Sequence, residues 1–218
     1  RQPGEVLFNF MFDHINRFNE KFPESFIKIF ADENWQDSLD TSLHPSVAVP
    51  KLFSQRLKKV GNFKYVAATE VLKESADRTH FHLFYGTRHL KGLEVFRDIQ
   101  RKAGKEQDHH RTKLKKQNHI NKTGEQELFP LETPFSDSHS LSLNEEHFKE
   151  AQNFFASLIN LRFKIEYDNL LPLLLERFVV TKKDVNDILR HAIKTKQISF
   201  IGLNSNERIP KVRKGHLI

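Results

Sequence analysis

Apolar residues form three short runs in the first part of the chain, and their patterns predict strands. Residues 5–12, EVLFNFMF, are almost continuously apolar, which is typical of a strand covered on both faces in a parallel sheet. Residues 63–72 and 80–86 are rich in aromatic and β-branched side chains. The polar residues 73–78 between them predict an antiparallel pair. We expect all three strands to belong to one sheet.

Helical spacing separates these strands. It predicts a short helix beginning at Pro23, a second over Leu52–Val60, and a third that follows the last strand and ends near Ala103. Residues 104–143 have no sustained apolar period. They are first rich in Lys, Gln and His and then in Pro and Ser, so we expect a linker with little regular structure.

Residues 144–218 resume a compact pattern. Three amphipathic helices are predicted, the third capped by Thr181, and two short strands, 197–201 and 211–218, follow them. This order of elements, helices followed by a two-stranded ribbon, is typical of a winged-helix module. The predicted organisation is therefore an α/β domain over residues 1–103, the linker 104–143, and a winged-helix-like module over 144–218.

Composition excludes several classes of protein. The chain has 218 residues, 38% of them apolar and 29% charged, which suits one or two globular domains. No apolar run approaches the ~20 residues of a membrane-spanning helix. The absence of Cys excludes disulfides and thiolate metal sites, and it fits a cytoplasmic protein. His80 and His82 share one strand face without a third ligand at metal spacing, so we expect no metal. The start at Arg1, without Met, indicates a piece of a longer chain.

Positive charge is concentrated in two segments. The net charge is +7, and most of the excess of Lys and Arg over Asp and Glu lies in residues 101–122 and 181–218. Basic side chains on a helix and on an adjoining ribbon are typical of contact with nucleic-acid phosphates; the alternative is a solvated charged face. The predicted nucleic-acid-binding residues are Lys182, Lys183, Arg190, Lys194, Arg208, Lys211, Arg213 and Lys214.

Two segments resemble a known family. The segment FNFMFDHINRF, residues 8–18, and the segment FHLFYGTRHLKGLEVF, residues 81–96, are similar to signature segments of the three-Cys-motif partner proteins, and the end of the chain from Leu173 is similar too. The resemblance implies the C-terminal part of a Rossmann-type, methyltransferase-like sheet followed by a winged-helix-like module.

The cofactor fingerprint of that family is not found in this sequence. Its glycine-rich first strand, loop and helix would precede Arg1, and the eight glycines of this chain are scattered. The resemblance therefore implies that S-adenosylmethionine is bound, if at all, by a full-length protein and not by this chain. Enzyme activity stays open, and this chain alone is expected to be inactive.

Two further groups of residues are candidates for binding. Asn9, Asp13, Asn16 and Arg17 surround the carboxyl end of the first predicted strand, where ligands bind in open α/β sheets; the alternative is a strand exit stabilised by turn hydrogen bonds. Thr87 and Arg88 lie between a strand and a helix, where backbone N–H groups can hold an anion; there the alternative is an ordinary helix cap. The two hypotheses for function are nucleic-acid binding and a protein-interaction module without catalysis.

Overall fold

A computed structural model gives the fold of the chain. It describes residues 4–11, 21, 23–74, 76, 78–124, 139–161, 164–203, 207–212 and 214–218. The chain divides into two compact units, Arg1–Leu93 and Glu94–Ile218. The described residues contain both helices and a small antiparallel sheet, so the coarse prediction of a mixed α/β protein is confirmed.

The first unit is a three-stranded sheet with helices packed against it. Its elements are β1 (Glu5–Phe10), α1 (Pro23–Phe30), a 3-10 turn (Trp35–Ser38), α2 (Pro45–Val60), β2 (Tyr65–Leu72) and β3 (Thr79–Thr87). The strand order is β1-β3-β2, which confirms that the three apolar runs share one sheet. β3 pairs antiparallel with both neighbours.

The expectation that β1 is a parallel strand covered on both faces is wrong. β1 is an antiparallel strand at the edge of the sheet, and Leu7 on it is 61% exposed. Its apolar run therefore mixes a core side chain, Phe10, with exposed ones such as Leu7 and Phe8, and the sequence pattern alone does not distinguish this arrangement from burial on both faces. A Rossmann-type sheet is built from parallel strands, and the described ladders give that expectation no support.

Alternation along the strands puts one aromatic core on one face of the sheet. Phe84 in the central strand is fully buried, and its ring centroid lies 5.5 Å from that of Phe10 and 4.8 Å from that of Phe53 on α2. Phe30 of α1 stacks on Trp35 at 4.5 Å. Aromatic pairs of this kind contribute about 0.5–1.5 kcal/mol each beyond the area they bury, so they fix α1 and α2 on the sheet.

The second unit is helical in its described part. Helix α3 (Leu90–Thr123) begins at the end of the first unit, and α4 (His139–Asn160), α5 (Tyr167–Arg177) and α6 (Lys182–Lys194) follow. The expected absence of regular structure over 104–143 is therefore wrong for 104–123 and 139–143, while residues 125–138 lie outside the described residues. The reason is that α3 continues through Lys, Gln, Arg and Glu, which are strong helix formers and need no apolar stripe.

Buried polar contacts join these helices. The side chain of Asp108 on α3 accepts a hydrogen bond from the backbone N–H of Ser140 in the first turn of α4 (2.9 Å). Arg97 is 3% exposed and donates to the carbonyls of Leu175 (2.7 Å) and Glu176 (3.2 Å) near the end of α5. Burial lowers the pKa of Arg97 to about 10, so its guanidinium is still charged at neutral pH and suits the negative end of that helix.

The predicted C-terminal ribbon is reduced to isolated bridges in the described residues. Leu217 bridges to Ile201 and to Glu166, and 197–201 and 211–218 form no longer ladder there. The helices and their order follow the prediction, but the wing of a winged-helix module is not established by these bridges.

Candidate functional site

The candidate cleft at the end of β1 lies partly outside the described residues, because Asp13, Asn16 and Arg17 fall there. Asn9 is described, and it is one of the residues around an apolar pocket of about 550 Å³ in the first unit. Alternation along β1 turns its side chain to the sheet face of Leu7, opposite the face of Phe8 and Phe10. The backbone of Asn9, and not its carboxamide, is therefore what we expect to face the pocket.

We call this cavity the β1 pocket. It lies between β1, α1 and α2, and its walls are mostly aromatic and aliphatic. Its lining residues are Val6, Phe8, Asn9, Phe10, Lys28, Ile29, Ala31, Phe53, Arg56, Leu57, Val60, Gly61 and Phe63. Sequence reasoning did not find it, because its residues come from three separate segments that only the fold brings together.

The side chains of the second candidate, Thr87 with Arg88, form hydrogen bonds with nearby backbone groups. Thr87 is fully buried, and its hydroxyl accepts a hydrogen bond from the N–H of His89 (3.1 Å). The guanidinium of Arg88 donates to the carbonyls of Gly61 (2.9 Å) and Asn62 (3.2 Å). Arg88 thus fixes the turn between α2 and β2, and the Thr87 hydroxyl closes a turn at His89, the residue before α3. The anion-binding hypothesis for these two residues stays a prediction.

Gly86, the residue before Thr87 in β3, lies against an aromatic ring. A Cβ atom added to Gly86 would lie 2.8 Å from a ring carbon of Phe63, so protein atoms already occupy the space beside this glycine.

The start of α6 is held by a network of charged hydrogen bonds. Thr181 caps the helix, with its hydroxyl accepting from the N–H of Asp184, and the carboxylate of Asp184 accepts in return from the Thr181 backbone (2.7 Å). Arg101 of α3 donates to both carboxylate oxygens of Asp184. Burial alone would raise the pKa of Asp184, but the hydrogen bonds from Arg101 and Thr181 together outweigh it, and the pKa is lowered.

Several of the predicted nucleic-acid-binding cations already have carboxylate partners. Lys182 pairs with Glu94 of α3 (3.0 Å) and Arg190 with Asp187 (2.6 Å). Lys183 and Lys194 are exposed, and neither has an ion pair with any residue that the structure describes. Arg208 is exposed too, whereas Arg213 lies outside the described residues.

The two C-terminal lysines meet at one carboxylate. Lys211 and Lys214 contact the same oxygen of Glu207, at 3.0 and 2.6 Å, and the Glu207 side chain is only 6% exposed. His216 is buried beside it, with Nδ1 accepting from the backbone N–H of Lys211 (2.9 Å) and Nε2 3.5 Å from Glu207. Because two cations share one acid, these contacts leave the loop with local positive charge.

The most continuous basic surface is on α3, where sequence reasoning expected a linker. Six basic side chains recur three or four residues apart and therefore lie along one face of the helix. All six are exposed. We call this surface the α3 basic face; it consists of Lys102, Lys105, His109, Lys113, Lys116 and His119.

Comparisons with protein-family models, with curated proteins and with solved structures find no match to this chain. The resemblance to the three-Cys-motif partner family is thus a hypothesis. Among the residues that the structure describes, no three His, Asp or Glu side chains are grouped as a metal site would require. No helix in the described part is both long and apolar enough to cross a membrane.

Proposed function

We propose that the second unit binds the phosphate backbone of nucleic acid, with the α3 basic face as its main contact surface. The observation that carries the proposal is the exposure of six basic side chains on one side of one continuous helix. Electrostatic contact with phosphates needs an extended row of cations and no particular base sequence.

Buried polar side chains anchor α3. Asp108 and Arg111 are buried, with 7% and 5% exposure, and Asp108 holds the start of α4 through Ser140. The six basic side chains stay exposed beside these anchors. From Lys102 to His119 the face is about 26 Å long, at 1.5 Å per residue. That length exceeds the ~12 Å width of the major groove of B-DNA, so one helix can contact phosphates on both sides of a groove.

The residues predicted from the sequence on α6 and the C-terminal loop supply a secondary surface under this proposal. Lys183 and Lys194 support it most directly, because neither has an ion pair in the described part of the chain. Lys182 and Arg190 contribute less, because a bound carboxylate already compensates each charge. A winged-helix-like module is the finer form of the proposal, and the helix order of α4, α5 and α6 followed by the Ile201–Leu217 bridge supports it. Membership in the three-Cys-motif partner family is supported only by the sequence resemblance.

The test is the salt dependence of binding. The test variant replaces four lysines of the α3 basic face with Gln, at Lys102, Lys105, Lys113 and Lys116. Each lost phosphate contact lowers the slope of log K against log salt by about 0.9 for duplex DNA and by about 0.7 for a single strand. Loss of four contacts therefore lowers the duplex slope by about 3.6. Between 50 and 200 mM salt, the affinity of the variant should then fall about 150-fold less than that of the unmodified chain.

A matched control separates this face from general positive charge. The control variant carries four Lys-to-Gln changes in the first unit, at Lys51, Lys58, Lys59 and Lys64, so that the net charge is the same. We expect the control to keep a slope within about one unit of that of the unmodified chain. Equal losses in both variants would reject the α3 basic face as the binding surface. If the unmodified chain shows no salt-dependent binding to DNA or RNA, the nucleic-acid proposal fails.

One observation favours the second candidate function, a protein-interaction module. An apolar pocket of about 430 Å³ in the second unit is lined by residues of α4 and of the C-terminal segment, among them Phe155, Ile159 and Ile218. Ile201, which also lines it, is 50% exposed. Protein binding at this apolar surface would depend little on salt, so the same titration distinguishes the two functions.

A further inference from the structure

The β1 pocket combines an apolar interior with exposed apolar side chains at its edge. Phe8, Ile29 and Val60 line it and are 43%, 43% and 64% exposed. They come from β1, α1 and α2, so three separate elements each bring a large apolar side chain to the same cavity. Exposed apolar side chains that converge in this way mark a binding surface, unlike single ones scattered over a protein.

The floor of the pocket is part of the buried aromatic core. Phe10 and Phe53 line it and are 4% and 7% exposed, and their ring centroids are 4.4 Å apart. Both rings also contact Phe84. Because this floor belongs to the core of the first unit, the pocket is built into the fold and does not depend on a ligand to form its base.

The charged side chains around the pocket determine whether a positively or a negatively charged ligand is favoured. Arg56 lines it, but its guanidinium donates to the carboxylate of Asp32 and to Ser38 Oγ (3.1 Å), so this pair has little net charge. Lys28 also lines the pocket, is exposed, and has no ion pair with any described residue. The net charge of the lining residues is therefore positive, and Lys28 supplies it.

We propose that the β1 pocket binds an amphipathic carboxylate, with the aliphatic chain of the ligand on the Phe10–Phe53 floor and its carboxylate beside Lys28. A volume of about 550 Å³ has room for about eighteen groups the size of water at ~30 Å³ each. A fatty acid of ten to twelve carbons fits that space with its head group at the edge. The polar backbone of the edge strand β1 gives the head group further hydrogen-bonding partners.

The experiment is titration calorimetry of the full chain with dodecanoate, at concentrations where it is monomeric, and with dodecanol as the neutral probe of equal length. We expect one site per chain and tighter binding of dodecanoate than of dodecanol. Lys28→Gln removes the charge, and because the side chain is exposed we expect dodecanoate affinity to fall about two- to fivefold. Dodecanol affinity should not change. Lys59→Gln on α2 is the matched control, since Lys59 is exposed and does not line the pocket.

A second variant tests the location without using the charge. Val60→Trp places a large side chain at the pocket edge from an exposed helix position, where folding tolerates it, and should weaken both probes about tenfold or more by occupying the space. Circular dichroism confirms that the variant is folded. The proposal is overturned if the unmodified chain binds dodecanoate no better than dodecanol, if Lys28→Gln and Lys59→Gln act alike, or if Val60→Trp leaves binding of both probes unchanged.

Discussion

Replacing Asp184 with asparagine should destabilise the second unit far more than the same change at Asp187, three residues away on α6. The carboxylate of Asp184 accepts hydrogen bonds from Thr181 and from both terminal nitrogens of Arg101, and its side chain is 13% exposed. Among the residues that the structure describes, Asp187 pairs with Arg190, with side chains 41% and 57% exposed. The two substitutions thus make the same chemical change at side chains that are 13% and 41% exposed.

The expected magnitudes follow from these contacts. Loss of a helix cap costs about 1 kcal/mol, and a hydrogen bond to a charged group contributes about 1.5–3 kcal/mol. The asparagine side chain would retain part of the capping, so we expect Asp184→Asn to lower the free energy of unfolding by about 2–3 kcal/mol. The exposed pair is expected to contribute at most about 0.5 kcal/mol. Urea unfolding at pH 7, followed by helical circular dichroism, measures both.

The pH dependence gives a second check on the same residue. The pKa of Asp184 is lowered in the folded chain, so the folded state favours the ionised form. Its contribution is therefore fully present above the unfolded pKa of about 3.9 and is lost as the pH falls through the lowered folded value. The stability difference between the unmodified chain and Asp184→Asn should be constant from pH 7 to about pH 5 and should narrow below about pH 4. An Asp184→Asn variant no less stable than Asp187→Asn would refute the assigned network.

Three other substitutions test the packing, each by urea unfolding at pH 7. Gly86→Ala should cost about 1–3 kcal/mol because the new Cβ would lie 2.8 Å from a ring carbon of Phe63, whereas Gly4→Ala, with nothing within 4 Å, should be close to neutral; equal effects would contradict this packing. Arg97→Met should cost about 2–3 kcal/mol, since it leaves buried carbonyls at the end of α5 without their donor, and a neutral result would mean that water replaces the guanidinium. Phe84→Ala should cost about 3–5 kcal/mol because it opens a cavity in the aromatic core, and a loss below about 1 kcal/mol would place that ring outside the core.

The candidate surfaces were only partly predictable from the sequence. Basic residues were found in 101–122 because charge is visible in composition, but their arrangement on one helical face was missed. The linker prediction relied on the absence of an apolar period, and α3 needs none beyond Gly104, because helix propensity and buried polar contacts such as Asp108–Ser140 maintain it. The sequence suggested Arg88 as an anion-binding residue because it lies between a strand and a helix. In the structure its guanidinium donates hydrogen bonds to the carbonyls of Gly61 and Asn62, and these contacts are not visible from its position in the sequence.

The sequence by itself determined that three apolar segments are strands and that Thr181 caps the last helix. Both features depend on side chains within a few residues of one another, so the local pattern of residues is enough to predict them. Only the tertiary structure decided that β1 is an exposed antiparallel edge strand and that Arg101 pairs with Asp184, eighty-three residues away. Strand direction and long-range pairing depend on which segments meet after folding. A single sequence does not show which segments meet, because many strands and many carboxylates in it are chemically equivalent partners until the fold brings one of them into contact.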